Sequence, residues 1–227
     1  MKRILNFTVL AVLLFAVGCK KESTKPESID DVLQDFGVAK INNYVPANGE
    51  KVITVQSVAD LRSKLGEISL PKSQGMNLQV TAKKNDNMDG STLSISDYGG
   101  DDGGPKPTKY NVTMNGSYGA MNASVTIFYN ANPGGVGGVN NVSVATSMVI
   151  SPGIGSYTQD SQYSVTVSSN GDIIVFEVTG TYTAGINTSG MTIGATYSYD
   201  FTGYYDTSTK GGSTVVKQTP MKKILPK

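Results

Sequence analysis

Residues 163–178 read Tyr-Ser-Val-Thr-Val-Ser-Ser-Asn-Gly-Asp-Ile-Ile-Val-Phe-Glu-Val and carry the clearest local structural signal in the chain. Apolar and polar residues alternate on both sides of Asn170-Gly171, the pattern of two strands that each bury one face. An Asn-Gly dipeptide favours a two-residue type I′ turn. Counting outward from that turn places apolar residues opposite one another on one face, as the pairs Val167–Ile174, Val165–Phe176 and Tyr163–Val178. The stretch therefore predicts an antiparallel hairpin of fixed register.

The same alternation runs through most of the chain after Met76. It predicts strands over residues 76–83, 92–98, 109–115, 121–130, 141–150, 161–169, 172–183 and 191–205. Long strands in up-and-down order favour a closed or strongly coiled antiparallel sheet, because closure removes exposed edges. The pattern broadly resembles lipocalin-type barrels, although the chain has no tryptophan for their Gly-x-Trp motif. We predict an all-β, mainly antiparallel, barrel-like domain, with a two-sheet β-sandwich as the alternative.

Two short helices are predicted ahead of these strands. Apolar residues recur at helical spacing after Ser28, which can cap a helix near 28–36 that Gly37 ends. The same pattern follows Ser57, which predicts a helix near 57–65 that Gly66 ends. Val52–Val55, between the two helices, has the composition of a short strand.

The amino terminus has the pattern of a secretory signal. Met1-Lys2-Arg3 is followed by an apolar run over 4–17, then by Gly18 and Cys19, the only cysteine in the chain. A helix over that run is about 21 Å long, short of the roughly 30 Å of a bilayer's hydrocarbon core. Ala16-Val17-Gly18-Cys19 resembles the lipobox of bacterial lipoproteins. The resemblance implies removal of residues 1–18 and acylation of Cys19, which would attach the mature protein to a membrane.

The segment after Cys19 predicts a flexible tether and indicates in which membrane the protein is anchored. Residues 19–27 are polar and contain a proline, so we expect a flexible link to a single domain over 28–227. Lys20 replaces the aspartate that retains lipoproteins at the inner membrane of enteric bacteria. The run Lys20-Lys21-Glu22 resembles the export signals of surface lipoproteins in Bacteroidetes. We expect an outer-membrane lipoprotein, and leave open whether it faces the periplasm or the cell surface.

Composition excludes several function classes. The 19 basic residues include Lys2 and Arg3, so the mature chain carries 17 of them against 18 acidic residues, without the basic excess expected of a nucleic-acid-binding protein. The chain has no histidine, which removes Ser-His-Asp and Cys-His catalysis and imidazole metal sites. With Cys19 acylated, no thiol remains for catalysis or for zinc. We therefore expect a non-enzyme without a cofactor.

Three acidic features suggest a metal site or a catalytic site only weakly. Residues 85–91 resemble a calcium loop, but Asn85 and Ser96 stand where the ion needs Asp and Glu, so we expect a turn there and no metal site. Asp101-Asp102, between glycine pairs, has the same interpretation. Glu177 and Asp200 lie on adjacent predicted strands, where a carboxylate pair could serve a hydrolase. Their strand positions face solvent, so we expect them to aid solubility.

The chain has twelve tyrosines, and the last two predicted strands carry Tyr182, Tyr197, Tyr199 and Tyr205 on one face. These side chains either fill the core or line a cavity for a ligand. The leading hypothesis is a non-catalytic, lipid-anchored cell-envelope protein whose β-domain binds a small ligand or a partner protein. The alternative is a structural or adhesive surface protein that uses loops such as 97–109 and 131–139, and a carboxylate-based hydrolase is a distant third.

Overall fold

The structure, a computed structural model, describes residues 26–71, 75–80, 108–131, 138–188 and 190–221. Cys19, the predicted strand over 92–98, the calcium-like loop over 85–91 and Asp101-Asp102 lie outside these residues.

Two helices precede the main sheet, as predicted. Helix α1 covers Ile29–Asp35, and Ser28 and Asp31 cap its start reciprocally by a capping box. Gly37 follows it with φ of +67°, the left-handed conformation expected there. Helix α2 covers Val58–Ile68, with Ser57 as its N-cap. The prediction that Gly66 ends α2 is wrong, because the buried Ile68 extends the apolar stripe of Leu61 and Leu65 by a further turn.

Ten strands form one sheet in the described residues. In chain order they are β1 (Ala39–Ile41), β2 (Ile53–Thr54), β3 (Met76–Val80), β4 (Thr108–Tyr118), β5 (Met121–Ala131), β6 (Val139–Ile150), β7 (Ser156–Val167), β8 (Ile173–Thr188), β9 (Met191–Asp206) and β10 (Gly211–Thr219). β10, whose first residues are two glycines, was not predicted from the sequence. Thr214 and Val216 are its buried side chains.

The eight longer strands follow one another around a strongly curled, barrel-like sheet. Neighbours share antiparallel ladders in the order β7-β8-β9-β10-β3-β4-β5-β6. The pair β10–β3 joins the end of the domain to its first long meander, with Val216 opposite Met76. β1 extends the sheet beside β9, and β2 pairs in parallel with β8. The barrel-like prediction is confirmed, and because the described strands form one sheet, the sandwich alternative is not adopted.

The hairpin of β7 and β8 has the predicted register. Val167 faces Ile174, Val165 faces Phe176 and Tyr163 faces Val178. The predicted type I′ turn is wrong, because the Gly171 amide donates to the Ser168 carbonyl and only Gly171 within the loop has positive φ. Ser168 and Ile173 close a four-residue loop instead. This loop is one residue longer at each end than the predicted two-residue turn. The same residues therefore face each other, and the register of the strands is as predicted.

The tip of this hairpin touches the start of β6. The Val139 amide donates to the Gly171 carbonyl, and a Cβ added to Gly171 would lie 2.2 Å from the Gly138 Cα. No real Cβ tolerates such a contact, so both positions need glycine. This backbone contact joins β6 to the β7–β8 hairpin at the end of the barrel that we call the hairpin end.

Helices α1 and α2 cover the opposite end, which we call the helical end. The Gln218 side chain at the end of β10 donates to the Phe36 carbonyl and accepts from the Leu70 amide. Val32, Leu33, Leu61 and Leu65 belong to the same buried apolar cluster as the inward side chains of the strands. One core therefore extends from the helices through the barrel.

We expect Gly171→Val to destabilise the domain by at least roughly 1–3 kcal/mol, because the φ of +75° is strained for valine and its side chain would collide with Gly138. Urea denaturation measures the change. Gly119→Val is the matched control, since Gly119 also has positive φ but has open space around it. Equal denaturation midpoints for the two variants would contradict the proposed backbone contact.

Candidate functional site

The four tyrosines for which the sequence left core packing and ligand lining open are buried in the core. Tyr182 lies directly opposite Tyr197 across β8 and β9, and the Tyr197 and Tyr199 rings stack with centroids 6.3 Å apart. Tyr205 lies further along β9, toward the hairpin end. All four are at most 3% exposed, and none lines either of the two surface depressions described below. This arrangement is that of core packing, the first of the two interpretations.

Burial governs the ionisation of these phenols. It raises the pKa of Tyr182 to about 12, against the opposing effect of a hydrogen bond with the Ile150 backbone. Burial raises the pKa of Tyr197 and Tyr199 still further above the usual value. The Tyr199 hydroxyl lies 3.9 Å from the Met121 sulfur. These phenols therefore stay neutral at any physiological pH.

Two buried hydroxyls lack a hydrogen-bond partner in the described structure, those of Tyr197 and Ser69. The Ser69 side chain lowers the pKa of Tyr197, against the larger rise that burial causes. Ser69 directly follows α2, so this polar spot lies where the helical end meets the barrel interior.

A row of three tyrosine rings marks the hairpin end. Tyr110 stacks on Tyr129 at 5.3 Å, and Tyr129 lies 6.1 Å from Tyr205. Burial, together with Tyr205, raises the pKa of Tyr129. Tyr110 is 46% exposed, whereas the other two rings are buried. The row therefore reaches from the core to the solvent at this end.

A groove of about 340 Å³ lies at the helical end. Asp35, Phe36, Arg62, Ser69 and Tyr118 contribute to its lining. Arg62 pairs with Asp35 at 2.6 Å and also with Glu27, and these hydrogen bonds raise its pKa. Two carboxylates already neutralise the guanidinium, so the described residues that line the groove offer an anionic ligand no free cation.

β6 and β7 are neighbours in the barrel but share no backbone ladder, and we call the gap between them the seam. Side chains bridge this seam. The Gln159 carboxamide accepts from the Thr146 amide at 2.6 Å and donates to the Val144 carbonyl at 3.1 Å. The Tyr157 and Thr146 hydroxyls share a hydrogen bond of 2.7 Å. Gln159 therefore acts in place of a peptide unit on the free edge of β6. This role of Gln159 was not predicted, because one glutamine in a strand carries no local signal of it.

The outer face of β4, β5 and β6 carries the array, a set of twelve side chains in four cross-strand rows. The rows are Ser117–Asn122–Val149, Asn115–Ser124–Ser147, Thr113–Thr126–Ala145 and Asn111–Phe128–Ser143. Hydroxyl pairs link neighbouring strands, at 3.0 Å for Thr113–Thr126 and 2.8 Å for Ser124–Ser147. All twelve side chains are uncharged and at least partly exposed. A shallow depression of about 410 Å³ crosses the first two rows.

The acidic pair considered for a hydrolase lies on the outer face of β8 and β9, as predicted. Glu177 faces Thr202, and Asp200 faces Thr179. Glu177 is exposed, and Asp200 accepts a hydrogen bond from Thr219 at 2.6 Å. Neither residue lines either of the two depressions. This placement fits the expected solubilising role.

In comparisons with known proteins, no protein family, no curated protein and no solved structure matches the chain. In the part of the chain that the structure describes, no three acidic, histidine or cysteine side chains come together as a metal site would require. Nor is any helix in that part long and apolar enough to span a membrane.

We expect Gln159→Leu to destabilise the domain by roughly 1–3 kcal/mol, because it leaves two backbone groups at the seam without their partner. Amide hydrogen exchange should quicken at Thr146. Gln162→Leu is the matched control, an exposed glutamine on the same strand. Unchanged exchange at Thr146 in the Gln159 variant would show that the carboxamide does not hold the seam.

We expect Tyr197→Ala to cost about 3–5 kcal/mol, as for other large aromatic side chains in cores. Tyr197→Phe should be nearly neutral, because the hydroxyl that it removes has no hydrogen-bond partner in the described structure. Chemical denaturation distinguishes the two. A Tyr197→Ala/Tyr199→Ala protein that stays fully stable but loses a copurifying ligand would instead support the ligand-lining interpretation.

Proposed function

We propose that the chain is a non-catalytic lipoprotein of the bacterial cell envelope, anchored through acylated Cys19, whose β-domain binds a ligand or partner on its surface. The anchor rests on the lipobox-like Ala16-Val17-Gly18-Cys19. The absence of histidine and of any second cysteine supports the non-catalytic part. One acyl chain binds membranes only marginally, so stable attachment requires the multiple acylation that this resemblance implies.

One observation carries the binding part of the proposal: large side chains fill the interior. Tyr182, Tyr197, Tyr199, Phe176 and Phe201 are among the largest fully buried residues, and all point into the barrel. A lipocalin-like ligand would need the space that these rings occupy. We therefore propose binding at the outer surface rather than inside the barrel. The groove, the array and the hairpin end are all accessible on that surface.

The tether orients the domain on the membrane in this proposal. Glu27, at the end of the predicted tether, pairs with Arg62 of α2 at the helical end. Nine tether residues reach at most about 30 Å when fully extended. The helical end and its groove would then lie nearest the membrane, and the hairpin end would point away from it.

An adhesive or structural role is the second candidate, and an exposed apolar patch favours it. Val175 lies directly opposite Tyr204 on the outer face, with Ile173 beside them, and each is more than one-third exposed. Apolar clusters on a surface commonly mark contacts with other proteins. Concentration-dependent multimers in analytical ultracentrifugation, dispersed by Val175→Ser, would favour this role over ligand binding.

We expect Cys19→Ser to abolish acylation and to yield an unprocessed or released protein. Metabolic labelling with a radioactive fatty acid, followed by membrane fractionation in a lipoprotein-processing bacterium, tests this. Thr24→Ser, within the tether, is the control and should be labelled and sedimented like the wild type. A Cys19→Ser protein that still takes up the label and sediments with membranes would refute the lipoprotein proposal.

The binding part has its own test. The acylated mature protein, extracted in a non-ionic detergent, is analysed by mass spectrometry for copurified small molecules. Because the interior is filled, we expect no stoichiometric lipid or pigment other than the anchor. A stoichiometric apolar ligand whose loss accompanies Tyr199→Ala would overturn surface recognition in favour of an internal site.

A further inference from the structure

We infer that the array on β4, β5 and β6 is a binding face for a neutral polysaccharide, an inference that rests on the proposed surface recognition. The class of ligand follows from the chemistry of the array. Nine of its twelve side chains are serine, threonine or asparagine, and one is an exposed aromatic ring, Phe128. Hydroxyl and amide groups pair with sugar hydroxyls, and a flat ring packs against the apolar face of a pyranose.

The absence of charge distinguishes the array from the outer face of β8, β9 and β10. That second face carries Glu177, Asp200 and Lys217, whereas the array carries no charged residue in its four rows. The exposed Lys109 lies one row beyond Asn111, outside the array. Within the four rows a charged polymer would find no counter-charge, and burying an unpaired charge against them is costly. Charge complementarity therefore favours an uncharged partner.

The distribution of apolar groups argues against other occupants. Phe128, Ala145 and Val149 lie in three different rows, so they form no continuous apolar centre such as a protein–protein interface buries. A membrane surface would require a broad apolar or basic patch, and nucleic acid would require a basic one. A polar, uncharged and extended partner requires neither an apolar patch nor a basic one. It requires hydrogen-bonding groups along its length, and the array provides them.

The geometry suits an extended chain. Successive rows are two residues apart along each strand, which is about 7 Å at the usual rise per residue. The four rows thus offer about 20 Å of regularly spaced hydroxyl and amide groups, with the depression at one end and Phe128 at the other. The hydroxyls of Ser124 and Ser147 already bond to each other. Each hydroxyl still has capacity for a further hydrogen bond to a ligand.

Phe128 sits where a stacking ring needs to be. It is 42% exposed, and its cross-strand neighbours are Asn111 and Ser143. A sugar packed on the ring would have an amide on one side and a hydroxyl on the other. Tyr204, 48% exposed on the opposite face, lies between the apolar Val175 and Ser213 and serves as the matched comparison.

Biolayer interferometry of the acylated mature protein in a non-ionic detergent tests the inference. The probes are four neutral polysaccharides, dextran, mixed-linkage β-glucan, xylan and mannan, together with the acidic polygalacturonate. We expect at least one neutral probe to bind and polygalacturonate not to bind. Phe128→Ala should weaken binding by about tenfold or more, whereas Tyr204→Ala should leave it within about twofold.

A second pair of variants covers the case in which Phe128→Ala does not fold. Ser147→Arg places a long charged side chain across the middle of the array and should abolish binding of the neutral probe. Thr202→Arg makes the same change on the opposite face and should not affect it. Failure of all four neutral probes, equal effects of the two arginine variants, or multimers that Phe128→Ala disperses would each overturn the inference. The lipid-labelling experiment tests the anchor independently of these results.

Discussion

Sixteen consecutive residue pairs join β8 to β9, and the rest of the domain is attached to this ladder. β7 and β2 pair with the free side of β8, while β10 and β1 pair with the free side of β9. The inward residues of the two strands include the largest fully buried side chains of the described core, among them Tyr182, Tyr197 and Phe201. Burial alternates along residues 173–183 of β8 and 197–206 of β9, so over that length this single register decides what the barrel buries and what it presents outside.

Local pattern was sufficient to predict much of this architecture. The hairpin register, both helix caps and the face of Tyr197 and Tyr199 follow from residues close together in sequence, so their signals are readable without the fold. The details that differ are those where packing or backbone contact prevails over propensity. α2 continues past Gly66 because Ile68 is buried, and the hairpin turn changes type where Gly171 meets Gly138.

The candidate surfaces depend on contacts that are remote in sequence, and for that reason the sequence did not reveal them. β10 has a weak alternation of its own and exists because β9 and β3 flank it. The rows of the array require the registers of three strands, so the neighbours of Phe128 could not be named beforehand. The four tyrosines were assigned to the correct face, but only the structure distinguishes a filled interior from a cavity.

The pair of β3 with β10 also constrains the order in which the protein can fold. Among the described strands, β4 to β9 lie between β3 and β10 in sequence, so a chain that leaves a ribosome or an export channel amino-terminus first carries an unpaired β3 edge until β10 has also emerged. Pairings between such distant segments form slowly, and exposed strand edges invite aggregation in the meantime. A partly emerged meander of β4, β5 and β6 already exposes a face rich in hydroxyl and amide groups. This face would help to keep the intermediate soluble until β10 pairs with β3.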